Sequence, residues 1–258
     1  MSVTSSSERQ EQLRVVVLIA TYNGAPFVES QIASLKDNLT PFVLHWLDDQ
    51  SIDSTCEIVR ATASREGIDL CEWRQSHHAG IPGVFFNLLE RVEADIYLFC
   101  DQDDIWQPGK IDATVANLLP YLDHPALVFS DPFVFKNDNP SVLKRFTHIR
   151  GVEPGVAVQE SRIFMYTPAM GHTIGFTRPL REIFLKHADI ARTHAFVHDY
   201  WMYLIANACG TSRMLSDVPT TLYRLHGSNA FGMNFAEKTS SIKHIRRMWS
   251  IHQKARRW

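Results

Sequence analysis

Two short acidic runs carry the residue types that could do chemistry. Asp101-Gln102-Asp103 follows the apolar stretch DIYLFC, and Asp48-Asp49 follows another apolar stretch, VLHWL. Carboxylates held side by side repel one another, and a cation relieves that cost. Magnesium-type sites combine one or two carboxylates with phosphate oxygens, so an Asp-x-Asp turn suits a divalent cation that also holds a diphosphate. A solvated acidic turn is the plain alternative for so short a motif. At Asp48 and Asp49 a carboxylate can accept hydrogen bonds from a base N–H or a ribose hydroxyl. It can equally cap the helix that follows. Tyr22 offers a ring for stacking on a base or for packing.

Strands and helices must position these groups. Residues 13–20 (LRVVVLIA) are apolar and β-branched, the pattern of a strand buried on both faces. Thr21-Tyr22-Asn23-Gly24 breaks it, and Pro26 opens a helical pattern through Phe27, Ile32, Leu35 and Leu39. Strands are expected at 43–47, 68–73, 95–100 and 126–130, with helices at 51–65, 84–92 and 110–119. Asp53 or Ser54 is the N-cap expected for the first of these helices. Such alternation predicts an α/β fold, a mostly parallel sheet flanked by helices. Both acidic runs then fall at carboxyl ends of strands, the edge where open α/β sheets bind ligands. Residues 132–165 show no sustained period and read as long loops with short elements over the site. Beyond them a strand is expected at 172–177 and a helix at 179–187. A second helix, 198–208, is stopped by Gly210, and 214–225 is extended, with Pro219 favouring an edge.

Composition narrows the class. The 258 residues are 45% hydrophobic and 21% charged, which suits a packed globular chain rather than a disordered or fibrous one. No apolar run approaches the ~18 residues of a membrane span. Residues 1–12 are polar, read as disordered, and lack the apolar core of a signal peptide, so a cytoplasmic location is expected. Four cysteines without a Cys-x-x-Cys pair read as reduced thiols. The net charge of −2 is unevenly spread: from Lys238 onward there are seven basic residues and no acidic one, leaving 19 basic and 28 acidic before them. An acidic body argues against nucleic acid as a partner, whereas the tail can meet an anionic surface. Phosphate-binding Gly-rich loops and the Gly-x-Ser-x-Gly elbow are absent. His77-His78 reads as loop surface, and Trp106 and Trp201 as either sugar-stacking or core residues.

Five segments in order, VVVLIATYNGAPFVESQIASL, LDDQSIDST, ADIYLFCDQDDIWQPGK, HDYWM and YRLHGSN, resemble the family 2 glycosyltransferases. The branch most similar is the bacterial surface-polysaccharide enzymes described as rhamnosyltransferases, including those of O-antigen synthesis. The resemblance covers about residues 13–232. It implies a GT-A fold over 13–235, with a nucleotide-sugar half (13–131) and an acceptor half (132–235), followed by a basic amphipathic helix in 236–258. It implies inverting, metal-dependent transfer of a sugar, rhamnose or another hexose, from a dTDP- or UDP-sugar to a hydroxyl of a growing glycan. The acceptor implied is a lipid-linked oligosaccharide, reached from the inner face of a membrane by a peripheral enzyme.

By the same resemblance Thr21, Tyr22 and Asn23 cradle the nucleotide, and Asp48 and Asp49 hold base and ribose. Asn87 faces the donor. Asp101 and Asp103, with His226 as a third ligand, bind Mn2+ or Mg2+. Arg224 meets the diphosphate, and Asp199 is the catalytic base. The family's Asp-Asp-Gly-Ser reads Asp-Asp-Gln-Ser here, so Gln50 must make the tight turn. The tail segment IKHIRRMWSIHQKARRW places Ile242, Ile245, Met248, Trp249 and His252 at helical spacing among basic residues. Such a helix can lie on an anionic membrane or pack on the domain. Two other classes share the pattern: a sugar nucleotidylyltransferase, whose Gly-rich loop is missing, and a non-catalytic binding module, which would not need Asp199 beside an intact Asp-x-Asp.

Overall fold

The computed structural model describes residues 13–136, 139–149, 169–195, 197–227 and 242–257. The polar stretch 1–12, most of the irregular region after 136 and the run up to the tail helix lie outside the described residues.

In chain order the elements are β1 (Val15–Thr21), α1 (Val28–Ala33), β2 (Val43–Asp48), α2 (Thr55–Glu66), β3 (Leu70–Trp73), α3 (Gly80–Arg91), β4 (Ile96–Cys100), β5 (Ile105–Trp106), α4 (Lys110–Leu118), β6 (Ala126–Ser130), β7 (Phe133–Lys136), β8 (Asn139–Arg145) and α5 (Phe146–Ile149). A 3-10 turn, Gly171–Thr173, then leads into β9 (Ile174–Thr177), α6 (Arg178–Lys186), α7 (Ala188–His194), α8 (His198–Cys209), β10 (Thr211–Leu215), β11 (Thr221–Leu225) and α9 (Ile242–Ala255).

Seven strands form one sheet in the order β10-β6-β9-β4-β1-β2-β3. All its pairings are parallel except those of β9, which runs antiparallel to both neighbours, with Leu98 and Val128 each opposite Gly175. Strand alternation divides the core in two. Val16 and Leu18 of β1, Tyr97 and Phe99 of β4, and Leu127 and Phe129 of β6 face α3, α6 and α8. Val15, Val17 and Ile19, with Ile96, Leu98 and Val128, face α1, α2 and α4. Each fully buried Leu, Ile or Phe contributes roughly 1.5–3 kcal/mol, so a strand apolar on both faces is pinned from both sides. The register sets Thr21 opposite Asp48 and Ile19 opposite Cys100, so the loops after β1, β2 and β4 open on the same edge.

Several expectations are corrected. Leu39 is 94% exposed because α1 ends at Ala33. The short elements expected after Asp131 include β7 and β8, which join β11 and β5 in a second, four-stranded sheet. The expected strand at 172–177 opens with the 3-10 turn. Pro219 lies between β10 and β11 rather than in a strand. Trp106 and Trp201 are both 1% exposed, so they are core residues and no sugar can stack on them. In α9, Ile251, His252 and Ala255 are buried, and the Cys209 thiol of α8 donates to the Ala255 carbonyl at 3.1 Å.

Candidate active site at the carboxyl edge of the sheet

At the end of β1, the Thr21 hydroxyl accepts from Trp46 Nε1 at 2.9 Å and donates to Asp48 Oδ1 at 2.7 Å. Asp48 also accepts from the Ser51 hydroxyl at 2.6 Å and the Ser51 N–H at 2.7 Å. Its oxygens therefore close the turn that follows β2. Gln50 makes that turn with φ of +72°, a left-handed conformation that L side chains adopt at a cost of about 1 kcal/mol. Its side-chain amide donates to the Gln75 carbonyl at 2.8 Å.

Asp49 is 3% exposed and turns toward α3. It accepts the N–H groups of Ala79 at 2.7 Å and Gly80 at 2.8 Å, and the Gln75 amide as well. A carboxylate at a helix N-terminus satisfies donors that otherwise lack partners. Asn23 and Ser51 tie the first two loops together: the Asn23 N–H donates to Ser51 Oγ at 2.8 Å, and Asn23 Oδ1 accepts from the Ile52 N–H at 3.0 Å. Tyr22 is half exposed, with its ring 4.6 Å from that of His78. His78 Nδ1 in turn lies 3.0 Å from Asp49 Oδ2, so His78 belongs to the rim of the site and not to remote surface.

The acidic loop after β4 is locked on both sides. Gln102 holds the first loop, accepting the Tyr22 N–H at 2.9 Å and donating to its carbonyl at 3.1 Å. Asp103 Oδ2 lies 2.9 Å from His226 Nε2, and the His226 ring stacks on Phe27 at 4.2 Å. Arg224 spans the loop from β11. Its N–H donates to Asp104 Oδ1 at 3.0 Å, its Nε to the Asp103 carbonyl at 3.0 Å and its Nη2 to Ser30 Oγ at 3.1 Å. Beneath lie Asp104 and His172, both fully buried, with His172 Nδ1 3.3 Å from Asp104 Oδ2. Asp101, Asp104 and His172 each offer an atom within 4.8 Å of the others. Burial, reinforced by the charge of Asp103, and further by Asp199 at Asp101 and by Asp101 at Asp104, pushes the Asp101 and Asp104 carboxyls well above the usual range. Burial also lowers His172 to about 3 and Lys110, whose ammonium lies over the Trp106 ring at 3.5 Å, to about 7. The neighbouring carboxylates of Asp101, Asp103 and Asp104, energetically averse to their own charge, fit a divalent cation.

Asp199 stands in the first turn of α8. Its Oδ1 accepts the Tyr200 N–H at 2.6 Å and its Oδ2 the Gly171 N–H at 2.8 Å. Burial raises its pKa to about 6, against those two N–H groups, which favour the ionised form. Its charge also acts on Asp101, so the two carboxylates lie in the same neighbourhood.

The fold thus gathers Asp101, Asp103, Asp199, Arg224 and His226 around one cleft, with Thr21, Tyr22, Asn23, Asp48 and Asp49 along the adjoining edge. Asn87 stands apart in a chain of amides: its Nδ2 donates to Gln75 Oε1 and its Oδ1 accepts from Arg192 Nη2, both at 2.9 Å. Asp104, His172, Lys110 and Gln102 were not singled out from sequence. The four-residue acidic run did contain the signal for Asp104. None existed for His172, which arrives by the antiparallel insertion of β9.

A family model for glycosyl transferase family 2 matches residues 16–189. A dTDP-rhamnosyl transferase, RfbG, of Shigella flexneri is 24% identical, over 90% of this chain and 80% of its own. The fold is shared with TarS (1–349) of S. aureus, solved in complex with UDP, at TM-score 0.61 and 17% identity over 93% of this chain. It is shared too with the mannosyltransferase PcManGT of Pyrobaculum calidifontis, solved with GDP-Man and Mn2+, at TM-score 0.63 and 17% identity over 95%. The chain spans 65% of the length of each of these two solved chains. The family match covers both acidic runs and the strands that present them, and with the GT-A sheet order they identify this chain as a member of glycosyl transferase family 2, a glycosyltransferase.

Proposed function

We propose that this enzyme moves a sugar, with inversion, from a nucleotide diphosphate donor to a hydroxyl of a bacterial surface glycan. The observation that supports the reading is a buried carboxylate, Asp199, near enough to the acidic loop for its charge to act on Asp101, while Arg224 is bonded to that same loop. Asp199 takes the proton of the acceptor hydroxyl as that oxygen attacks the anomeric carbon, a role typically worth ~10²–10⁴ in rate. Arg224, braced against Ser30 and the Asp103 carbonyl, presents positive charge beside the departing diphosphate. Asp101, Asp103 and His226 are the residues to hold a cation, since Asp103 and His226 keep solvent contact whereas Asp104 and His172 are sealed. A divalent cation bound there would supply further charge against the leaving group. Mn2+ and GDP-Man in PcManGT support this reading.

The name of RfbG favours dTDP-rhamnose as donor, and UDP in TarS keeps UDP-hexoses as the alternative. For the acceptor we infer a lipid-linked glycan, and for α9 an anionic membrane surface. The test is a panel of dTDP-, UDP- and GDP-sugars with and without Mn2+, read by thermal shift and nucleoside diphosphate release. Asp199→Asn is expected to bind the selected donor as the parent does and to lose ~10²-fold or more in turnover. Turnover at the parent rate removes the base assignment.

A further inference from the structure

The geometry points to Gly171 as a positioning residue, whose backbone N–H aims the Asp199 carboxylate and whose missing side chain is what allows that N–H to reach it. This rests on Asp199 being the base. The two carboxylate oxygens are held separately, Oδ1 by the Tyr200 N–H within α8 and Oδ2 by the Gly171 N–H from the 3-10 turn. Among the described residues only the second bond comes from outside the helix, so it fixes the carboxylate relative to the neighbouring turn.

Space at Gly171 is closed. A Cβ there would lie 2.9 Å from His198 Nε2, 3.4 Å from His198 Cε1 and 3.6 Å from Asp199 Oδ2. The first of these is closer than real Cβ contacts come, so something must shift. The His198 ring has nowhere to go: it is 4% exposed, stacked at 3.8 Å on Phe85 and edge-on at 4.7 Å to Phe99. In a core packed to crystal-like density the shift falls on the turn, and with it on the N–H.

The turn is fixed from its other side as well. The next residue, His172, lies against Asp104, its ring stacks on Tyr223 at 5.1 Å, and its carbonyl accepts from the Thr221 hydroxyl at 2.8 Å. Two consecutive residues therefore reach the two sides of the cleft, Gly171 the base and His172 the acidic loop. Their spacing sets the distance between proton acceptor and donor diphosphate.

Gly171→Ala is expected to lower kcat by ten- to a hundredfold, the usual cost of displacing a reacting group by about 1 Å. The KM and calorimetric Kd for the donor chosen in the panel stay within twofold. Space restored by His198→Ala should cancel the loss, so the Gly171→Ala/His198→Ala double variant matches the kcat of His198→Ala alone. Parent-like kcat in Gly171→Ala overturns the inference, as does a double variant slower than His198→Ala. If Gly171→Ala does not fold, the pair His198→Ala and double variant decides on the same terms. Asp199→Asn separates the two readings. An inactive Asp199→Asn with an active Gly171→Ala sinks this inference alone, and an active Asp199→Asn sinks the base assignment beneath it.

Discussion

Asp199 feels two opposed influences, burial that favours its protonated form and two N–H groups that favour the ionised form; burial wins, at about pH 6. Only the ionised carboxylate can accept the acceptor's proton. Activity is therefore expected to fall as pH drops through about 6, about two units above where an ordinary aspartate would lose its charge. A kcat/KM profile whose acid limb instead falls near pH 4 contradicts the assignment. At this scale the sequence was legible wherever a residue and its partner sit in one motif. Asp101 and Asp103 stand out because adjacent carboxylates are costly, and Asp199 through the resemblance of HDYWM to the family's motif. Gln50 was visible as a departure from the family's glycine, and the structure shows the turn closing in the left-handed region regardless. His172 and Gly171 were opaque, because their partners Asp104 and Asp199 are brought to them by chain topology and no local pattern encodes that.

Among the elements, α3 shows how a residue at the carboxyl edge of the sheet holds the fold. The Asp49 carboxylate accepts two N–H groups of the α3 N-terminus, which a small side chain cannot replace. Asp49→Ala is expected to destabilise the protein by about 1–3 kcal/mol in denaturant unfolding, through lost capping and buried donors left unmet. Unchanged stability with weakened donor affinity would assign Asp49 to ligand binding alone. Strands β1, β4 and β6 were readable because residues buried on both faces must be apolar throughout. The β7–β8 hairpin was not, since short strands with Pro140 and Asn139 give too little periodicity to separate strand from loop. The expected N-cap is met: Ser54 occupies the position, while the neighbouring Asp53 carboxylate accepts the Thr55 N–H at 3.0 Å and the Ala25 N–H at 3.2 Å.

Over the whole molecule, the charge imbalance acquires a direction. On α9 the exposed residues Arg246, Trp249, Ser250 and Lys254 share one face, followed by exposed Arg256 and Arg257, while Ile251, His252 and Ala255 pack inward. No described helix is long and apolar enough to cross a membrane. A helix of this kind can lie at an anionic interface through its ring and its charges. Sedimentation with phosphatidylglycerol vesicles should fall at least several-fold in an Arg246→Glu/Trp249→Ala/Lys254→Glu variant, with turnover on a soluble acceptor retained; equal sedimentation assigns α9 to packing alone. In the seven-stranded sheet β9 sits between β4 and β6, and both of those strands precede it by many residues. A nascent chain must hold a strand-wide slot open, with two unpaired edges lining it, until residue 177 has left the ribosome. Such edges invite pairing with neighbouring chains. Early release from synthesis is therefore expected to yield a sticky fragment rather than a smaller working unit.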